Sequence, residues 1–221
     1  MDFSGRWVMV QKTVTVADVP VVGEIRSTTR AVVLYTLDHQ GDKLRGAGEL
    51  CELDIDSGST MIRTVLPDAF KRSLATPKLD AVLKQEGPQL RLRQGRTWSV
   101  VGAKLEDPSR EALPTSASDA RVYDQDKDGK PGVTVRVEGI VSGEIYVVQR
   151  SWSELEAVMR EDDLFKGYVR FNQEQVILDA TKKMLKKPPN SRPDLNRSVF
   201  QLKRVDSDAT CASVRRIAAR L

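Results

Sequence analysis

The sequence predicts a mainly β fold, an antiparallel meander that closes into a barrel or a strongly curved sheet. The first observation is alternation: long stretches alternate apolar and polar residues, and short segments rich in Gly, Asp and Ser separate them. The second is that helical spacing is limited to one short insert and the C-terminal tail. About nine or ten strands with few helices favour closure, because a closed sheet leaves no free edges to aggregate. We expect residues 1–221 to form a single β-barrel-like domain.

The first third of the chain carries four predicted strands. Apolar side chains recur at every second position, and Pro, Gly or Asp interrupts each run. The strands are expected at 6–16, 21–37, 44–55 and 60–66, with breaks at Asp18–Pro20, 38–42 and 56–58.

A short helix is predicted next, over 67–76. Pro67 suits the first helical position, and Ala69, Phe70 and Leu74 follow at helical spacing. Further strands are expected within 79–105. A loop rich in Pro, Ser, Ala and Asp should cross over at 106–120.

The second half begins with the clearest strand pair. Val133 to Glu138 alternates strictly and 144–149 returns, whereas 152–159 has mixed spacing. Residues 164–185 suggest a strand running into a helix. The basic, proline-containing segment 182–197 suggests a mobile surface loop. A last strand at 199–205 and a short basic helix at 209–221, within a helical tail from 206, complete the prediction.

Two cysteines, Cys51 and Cys211, lie 160 residues apart. They predict one disulfide that ties the C-terminal helix to the sheet, and with it an oxidising compartment, periplasmic or secreted. Two unrelated buried thiols are the alternative. Closing so long a loop is worth roughly 4–5 kcal/mol in the chain-entropy model. Because a strand begins almost at once, we expect Met1 to be an added start and a natural leader to have been removed.

The first strand opens with Gly5-Arg6-Trp7, which resembles the Gly-x-Trp signature of lipocalins and related calycin barrels. In that family the Trp plugs the barrel base, and an Arg from a late strand lies over it; Arg204 is the counterpart here. The resemblance implies a barrel with a central cavity for a small apolar ligand. The alternative is an ordinary Trp in a first β-strand.

The acidic segment Asp124-Gln125-Asp126-Lys127-Asp128-Gly129 predicts a calcium loop. Carboxylates at positions one, three and five converge on one point, Gly fills the sharp turn at position six, and the carbonyl of Lys130 serves position seven. Position twelve is Val135 instead of an acid, so we expect Glu138 or Asp119 to supply a further oxygen. A solvated acidic turn is the alternative interpretation.

Other chemistry is weakly supported. Zinc binding is excluded because two distant cysteines and one histidine lack ligand spacing. His39 is expected as an exposed turn residue, and the carboxylates of 161–163 as a solvated run. The lysines at 182, 183, 186 and 187 could contact phosphates, but lack aromatic neighbours for base stacking. No apolar run approaches the roughly 18 residues of a transmembrane segment.

The net charge of +4 gives little reason to expect nucleic acid as a partner. We therefore expect a non-enzymatic, calcium-binding extracytoplasmic β-barrel protein that holds a small apolar ligand. One alternative is an envelope or surface module that binds another protein. A hydrolase with an unrecognised site is the other.

Overall fold

The computed structural model describes residues 1–19, 23–161 and 163–221. The predicted break at Pro20, the expected start of the second strand at Val21 and the acidic residue Asp162 lie outside this range. Eleven strands and two α-helices are formed by the described residues. The strands are β1 (Gly5–Val19), β2 (Gly23–Gln40), β3 (Lys43–Asp56), β4 (Ile62–Val65), β5 (Lys78–Glu86), β6 (Gln89–Val101), β7 (Val133–Gly139), β8 (Gly143–Glu161), β9 (Leu164–Ala180), β10 (Asn190–Pro193) and β11 (Val199–Arg204); the helices are α1 (Asp68–Ser73) and α2 (Cys211–Ala218).

Eight of the strands close into a ring. Around the ring, each strand pairs with the next in the order β1, β2, β3, β5, β6, β8, β9, β11, and β11 pairs with β1. Every one of these pairings is antiparallel. The predicted antiparallel meander is therefore confirmed. We call the end with the β2–β3, β5–β6 and β8–β9 turns the base, and the opposite end the top.

The base half of the interior is filled by apolar side chains. Tyr35 packs over Gly48 on the neighbouring strand, where a Cβ would lie 2.8 Å from the tyrosine ring. Large rings and branched chains from every strand of the ring meet in one buried cluster, which includes Trp7, Met9, Leu37, Leu44, Leu79, Leu92, Leu155, Phe165, Val169, Phe200 and Leu202. This burial is the main stabilising term of the fold.

Trp7 lies at the base of the ring. It is fully buried, and its indole N–H donates to the carbonyl of Phe3 at 2.8 Å. The guanidinium of Arg204 lies 5.5 Å from the centre of the indole ring. Arg204 also donates to the carbonyl of Asp2 at 2.9 Å, so it joins the last strand to the N-terminal segment.

The top half of the ring is splayed. β3 pairs with β5 only over Lys43–Ala47, and β11 pairs with β9 only over Leu164–Tyr168. The strands that continue upward therefore separate into two wings. Alternation from the buried cluster places polar, uncharged side chains on their inner faces: Gln11, Thr13, Thr29, Thr97, Ser99, Gln149, Ser151, Ser153, Gln173 and Gln175.

Helix α1 closes part of the top. Its buried Phe70 joins an apolar cluster formed by Val101, Val133, Val135 and Val147, with Leu53 from β3 on the other wing. The short helix predicted over 67–76 is present over Asp68–Ser73, and Pro67 precedes it as the N-cap residue. The insert thus bridges the two wings where strand pairing stops.

Helix α2 packs on the outside of the ring. Val214 and Ala218 are buried against Val8, Val10, Val32 and Leu34, which point away from the interior. The disulfide between Cys51 and Cys211 is formed, with 5.1 Å between the Cα atoms, and joins the helix to β3. The side chain of Arg30 donates to the carbonyl of Ala218 at the other end of the helix.

Four local expectations need correction. The mixed segment 152–159 belongs to β8 and pairs with β9 without interruption, and 164–180 is strand throughout; the register shifts of this ladder lie outside 152–159, between Tyr146 and Val147 and after Met159. The segment 182–197 contains β10, which pairs with β1, and two short 3-10 helices. His39 lies at the end of β2, and its side chain is only 15% exposed because Phe3 packs edge-on against it.

Removing the disulfide tests how much α2 depends on it. Replacing both Cys51 and Cys211 by Ser should lower the free energy of unfolding by roughly 2–5 kcal/mol, because the unfolded chain regains the entropy of a long open loop. Urea denaturation followed by circular dichroism measures the change. Wild-type protein under reductant is the control and should match the double variant; an unchanged unfolding midpoint in both would contradict the prediction.

Candidate functional site

The acidic loop lies at the top, inserted where β6 ends and β7 begins. Three backbone hydrogen bonds hold the two ends of the loop together: Tyr123 N–H to Gly102 O (3.2 Å), Gly132 N–H to Tyr123 O (3.1 Å) and Gln125 N–H to Gly132 O (3.0 Å). The residues between Tyr123 and Gly132 therefore form a tight projecting turn.

Glycine is required where the two ends of this loop approach each other most closely. Gly102 and Gly132 both have positive φ, +78° and +83°, and they lie against each other. A Cβ on Gly132 would collide with the carbonyl oxygen of Val147 on β8. Gly129 also has φ +83° but faces open space, so it serves the turn itself.

The three predicted carboxylates converge. One oxygen each from Asp124, Asp126 and Asp128 lie within 4.8 Å of one another, so the cluster could hold a metal ion. Asp124 accepts backbone N–H bonds from Asp128 at 3.1 Å and Gly129 at 2.8 Å. These bonds fold the loop around its first carboxylate.

Asp126 is the buried member of the cluster. Its residue is 8% exposed, and Oδ2 accepts the backbone N–H of Thr134 at 2.9 Å. Oδ1 is buried and has no hydrogen-bond partner. Burial, with the neighbouring charges of Asp128 and Asp124, raises the pKa of Asp126, although the Thr134 N–H bond opposes the shift. A buried carboxylate oxygen without a partner is costly, and a cation in the cluster would remove that cost.

Thr134 completes the cluster from β7. Its hydroxyl donates to Asp128 Oδ2 while its N–H donates to Asp126, so one residue orients two carboxylates. Sequence reasoning missed Thr134. The signal available in the sequence was a hydroxyl residue on a strongly alternating strand. In the structure this residue is only 3% exposed.

The remaining predicted ligands are placed differently. Lys130 follows in the loop, with its N–H donating to Asp128 Oδ1 at 2.9 Å. Glu138 stands on β7 opposite Arg63 of β4, 3.9 Å away, and is about 13 Å from Thr134 along an extended strand. Asp119 is held by Arg121 at 2.8 and 3.0 Å, which lowers the pKa of its carboxyl to about 2.

Comparisons with family models, with curated proteins and with solved structures find no match to this chain.

The ligand atoms of the loop indicate which kind of metal it suits. All of the converging ligands are oxygens. Hard divalent cations prefer oxygen ligands, whereas softer metals prefer nitrogen or sulfur. Gln125 ties the loop to the rest of the top: it accepts the N–H of Gly102 at 2.7 Å and donates to the carbonyl of Ser73, the last residue of α1, at 2.9 Å. An ion in the loop would thus brace β6, β7 and α1 together. The link to Ser73 joins residues 52 apart in the chain, so no local pattern could have predicted it.

Substituting Gly132 tests the geometry of the loop. Gly132→Ala should lower the free energy of unfolding by roughly 2–4 kcal/mol, because it adds a backbone clash to left-handed strain. Gly87→Ala is the matched control, since Gly87 also has positive φ (+59°) but no neighbour within 4 Å, and it should cost about 1 kcal/mol. Equal losses in the two variants, measured by chemical denaturation, would argue against the close approach.

Proposed function

We propose that the protein is a non-enzymatic extracytoplasmic β-barrel whose top is stabilised by a calcium ion held in the acidic loop. The observation that carries the proposal is the buried, unpartnered Oδ1 of Asp126, a member of a cluster of three converging carboxylates. The disulfide between Cys51 and Cys211 supports an oxidising compartment. Within the described residues, no helix has the length and apolar character needed to cross a membrane.

Calcium is favoured over other hard cations for two reasons. The side-chain ligands are three carboxylates on a turn with two left-handed residues, Lys127 and Gly129, and such a flexible oxygen set suits the irregular coordination of calcium. Magnesium demands near-ideal octahedral geometry and keeps its waters. Because no acid occupies the twelfth position, affinity should be modest, with Kd about 10⁻⁴–10⁻³ M. Such a site fills at extracellular calcium concentrations and serves structure instead of signalling.

The proposed barrel follows the lipocalin-like arrangement in three respects. The eight-stranded ring is an up-and-down meander, as in lipocalins. Trp7 is buried at the base, and Arg204 lies over it. These features support the resemblance seen in Gly5-Arg6-Trp7, and with it a binding role for the interior.

Calorimetry tests the metal site directly. Wild-type protein should bind calcium with the modest affinity above, and calcium at about ten times Kd should add about 1.4 kcal/mol to the free energy of unfolding. Asp126→Asn should weaken both effects, because it removes one of the three negative charges of the cluster while keeping an oxygen ligand. Glu138→Gln should leave both unchanged, since Glu138 stands opposite Arg63.

Glu106→Gln serves as the general charge control, because Glu106 is exposed and precedes the loop in sequence. A melting temperature that neither calcium nor chelator changes would refute the metal site. Loss of binding in Glu138→Gln but not in Asp126→Asn would relocate the site.

A ligand role is a second candidate, and the lining of the top half favours one kind of ligand. The inner faces of the two wings carry Gln, Ser and Thr, whereas charged side chains such as Arg150 and Glu174 pair on the outer face. The apolar base is already filled by its own side chains. This lining favours a neutral ligand with hydroxyl or amide groups over the small apolar ligand that the resemblance implies.

Thermal-shift assays separate these ligand classes. Neutral oligosaccharides or short uncharged peptides should raise the melting temperature, and fatty acids should not. Gln175→Ala, on the inner face, should reduce the shift, whereas Asn172→Ala, on the outer face of the same strand, should preserve it. Stabilisation by fatty acids alone would favour the apolar cavity instead.

A further inference from the structure

The top of the barrel carries an exposed apolar tip that no part of the proposed function uses. Ile140 is 68% exposed in the β7–β8 turn, and Met184 is 67% exposed in the short 3-10 helix after β9. Met61, 40% exposed, accepts the N–H of Ile140 at 2.9 Å through its carbonyl. Large apolar side chains exposed together on a surface mark interaction sites.

The turn and the 3-10 helix are neighbours in space. Thr181 exchanges hydrogen bonds with Glu144, at 2.9 and 3.0 Å. A Cβ on Gly143 would lie 2.8 Å from Leu185, so the helix rests directly against the end of the turn. Ile140 and Met184 thus project from adjoining segments of the same end of the barrel.

Lysines surround Met184 in this part of the surface. Lys182, Lys183 and Lys187, together with Met184, line a shallow hollow of about 490 Å³. In the described part of the chain, no carboxylate lies within 4 Å of these three ammonium groups. The neighbouring acids are engaged by other cations: Asp179 by Lys186 at 2.7 Å, Glu144 by Arg136 at 3.1 Å, and Glu138 by Arg63 at 3.9 Å.

We propose that this tip docks onto an anionic lipid surface, with Ile140 and Met184 entering the interfacial region and Lys182, Lys183 and Lys187 facing lipid phosphates. The combination of basic and exposed apolar side chains favours an anionic lipid surface as the partner. Basic residues supply attraction to anionic headgroups that weakens with salt, while unbranched or aliphatic side chains add burial at the acyl boundary. A nucleic acid would call for aromatic stacking groups, and the tip offers none among these residues.

Vesicle co-sedimentation tests the docking. Wild-type protein should bind vesicles made of equal parts phosphatidylglycerol and phosphatidylcholine, and should not bind phosphatidylcholine alone. Replacing Lys182, Lys183 and Lys187 by Gln should weaken binding by on the order of 100-fold, about fivefold per lysine. Ile140→Ser with Met184→Ser should weaken binding while leaving its salt dependence unchanged.

Matched controls separate this surface from overall charge. Lys84, Lys166 and Lys203 are exposed on β5, β9 and β11, away from the tip, and replacing all three by Gln removes the same net charge. Val82→Ser with Tyr168→Ser removes apolar side chains that are 41% and 63% exposed towards the base. Both control variants should bind vesicles like the wild type.

Three results would overturn the proposal. The first is absence of wild-type binding to anionic vesicles, and the second is equal weakening by the two lysine triples. The third is binding to soluble polyglutamate that is as tight as binding to anionic vesicles and is unchanged by the Ile140→Ser and Met184→Ser substitutions. The tip would then bind acidic polymers through charge alone. Wild-type melting temperatures in all variants establish that the fold is preserved. These results do not depend on calcium binding, so they stand apart from the test of the metal site.

Discussion

The double pairing of β9, to β11 on one side and to β8 on the other, is the constraint on which the rest of the molecule depends. It closes the meander into a ring and so creates an inside that side chains must fill. Over Leu164–Tyr168 both edges of β9 are paired, and at this level the interior is packed with apolar groups around Phe165. Where β11 ends, the ring loses one wall and the strands spread. The filled base and the open polar top therefore follow from two pairings that stop early, β9 with β11 and β3 with β5.

The inserts at the top compensate for that missing wall. Helix α1 contributes Phe70 to the space between the wings, and the acidic loop ties the last residue of that helix to Gly102 through Gln125. A metal ion between the carboxylates would stiffen this chain of contacts at its least packed point. The three acids are close enough to repel one another, and a cation held between them would balance that repulsion.

The sequence predicted this arrangement unevenly, and the physical reason differs from element to element. Strand alternation identified β1, β2, β3 and β7 because successive side chains of a strand point to opposite faces, with a period of two. It failed at 152–159, where the strand is regular but apolar residues such as Trp152 and Val158 also lie on its outer face. The spacing of Asp124, Asp126 and Asp128 predicted their convergence because a tight turn brings alternate side chains together. The role of Gln125 could not be predicted, since its contact with Ser73 joins residues 52 apart in the chain. Thr134 lies close in sequence to Asp126 and Asp128, and its hydroxyl on a strongly alternating strand was a signal that was missed.

The acidic loop and the lysine tip are linked electrostatically by Lys130. Its ammonium lies 5.6 Å from the ring of Tyr146 on β8, and its charge helps Lys186 to lower the pKa of Asp179, the residue opposite Tyr146 on β9. Lys130 therefore stands between the three carboxylates of the loop and the basic segment that starts at Lys182. With the loop empty, the carboxylates attract Lys130 and oppose the positive potential of the tip. A divalent cation held by the carboxylates would offset their negative charge and so weaken their attraction for Lys130.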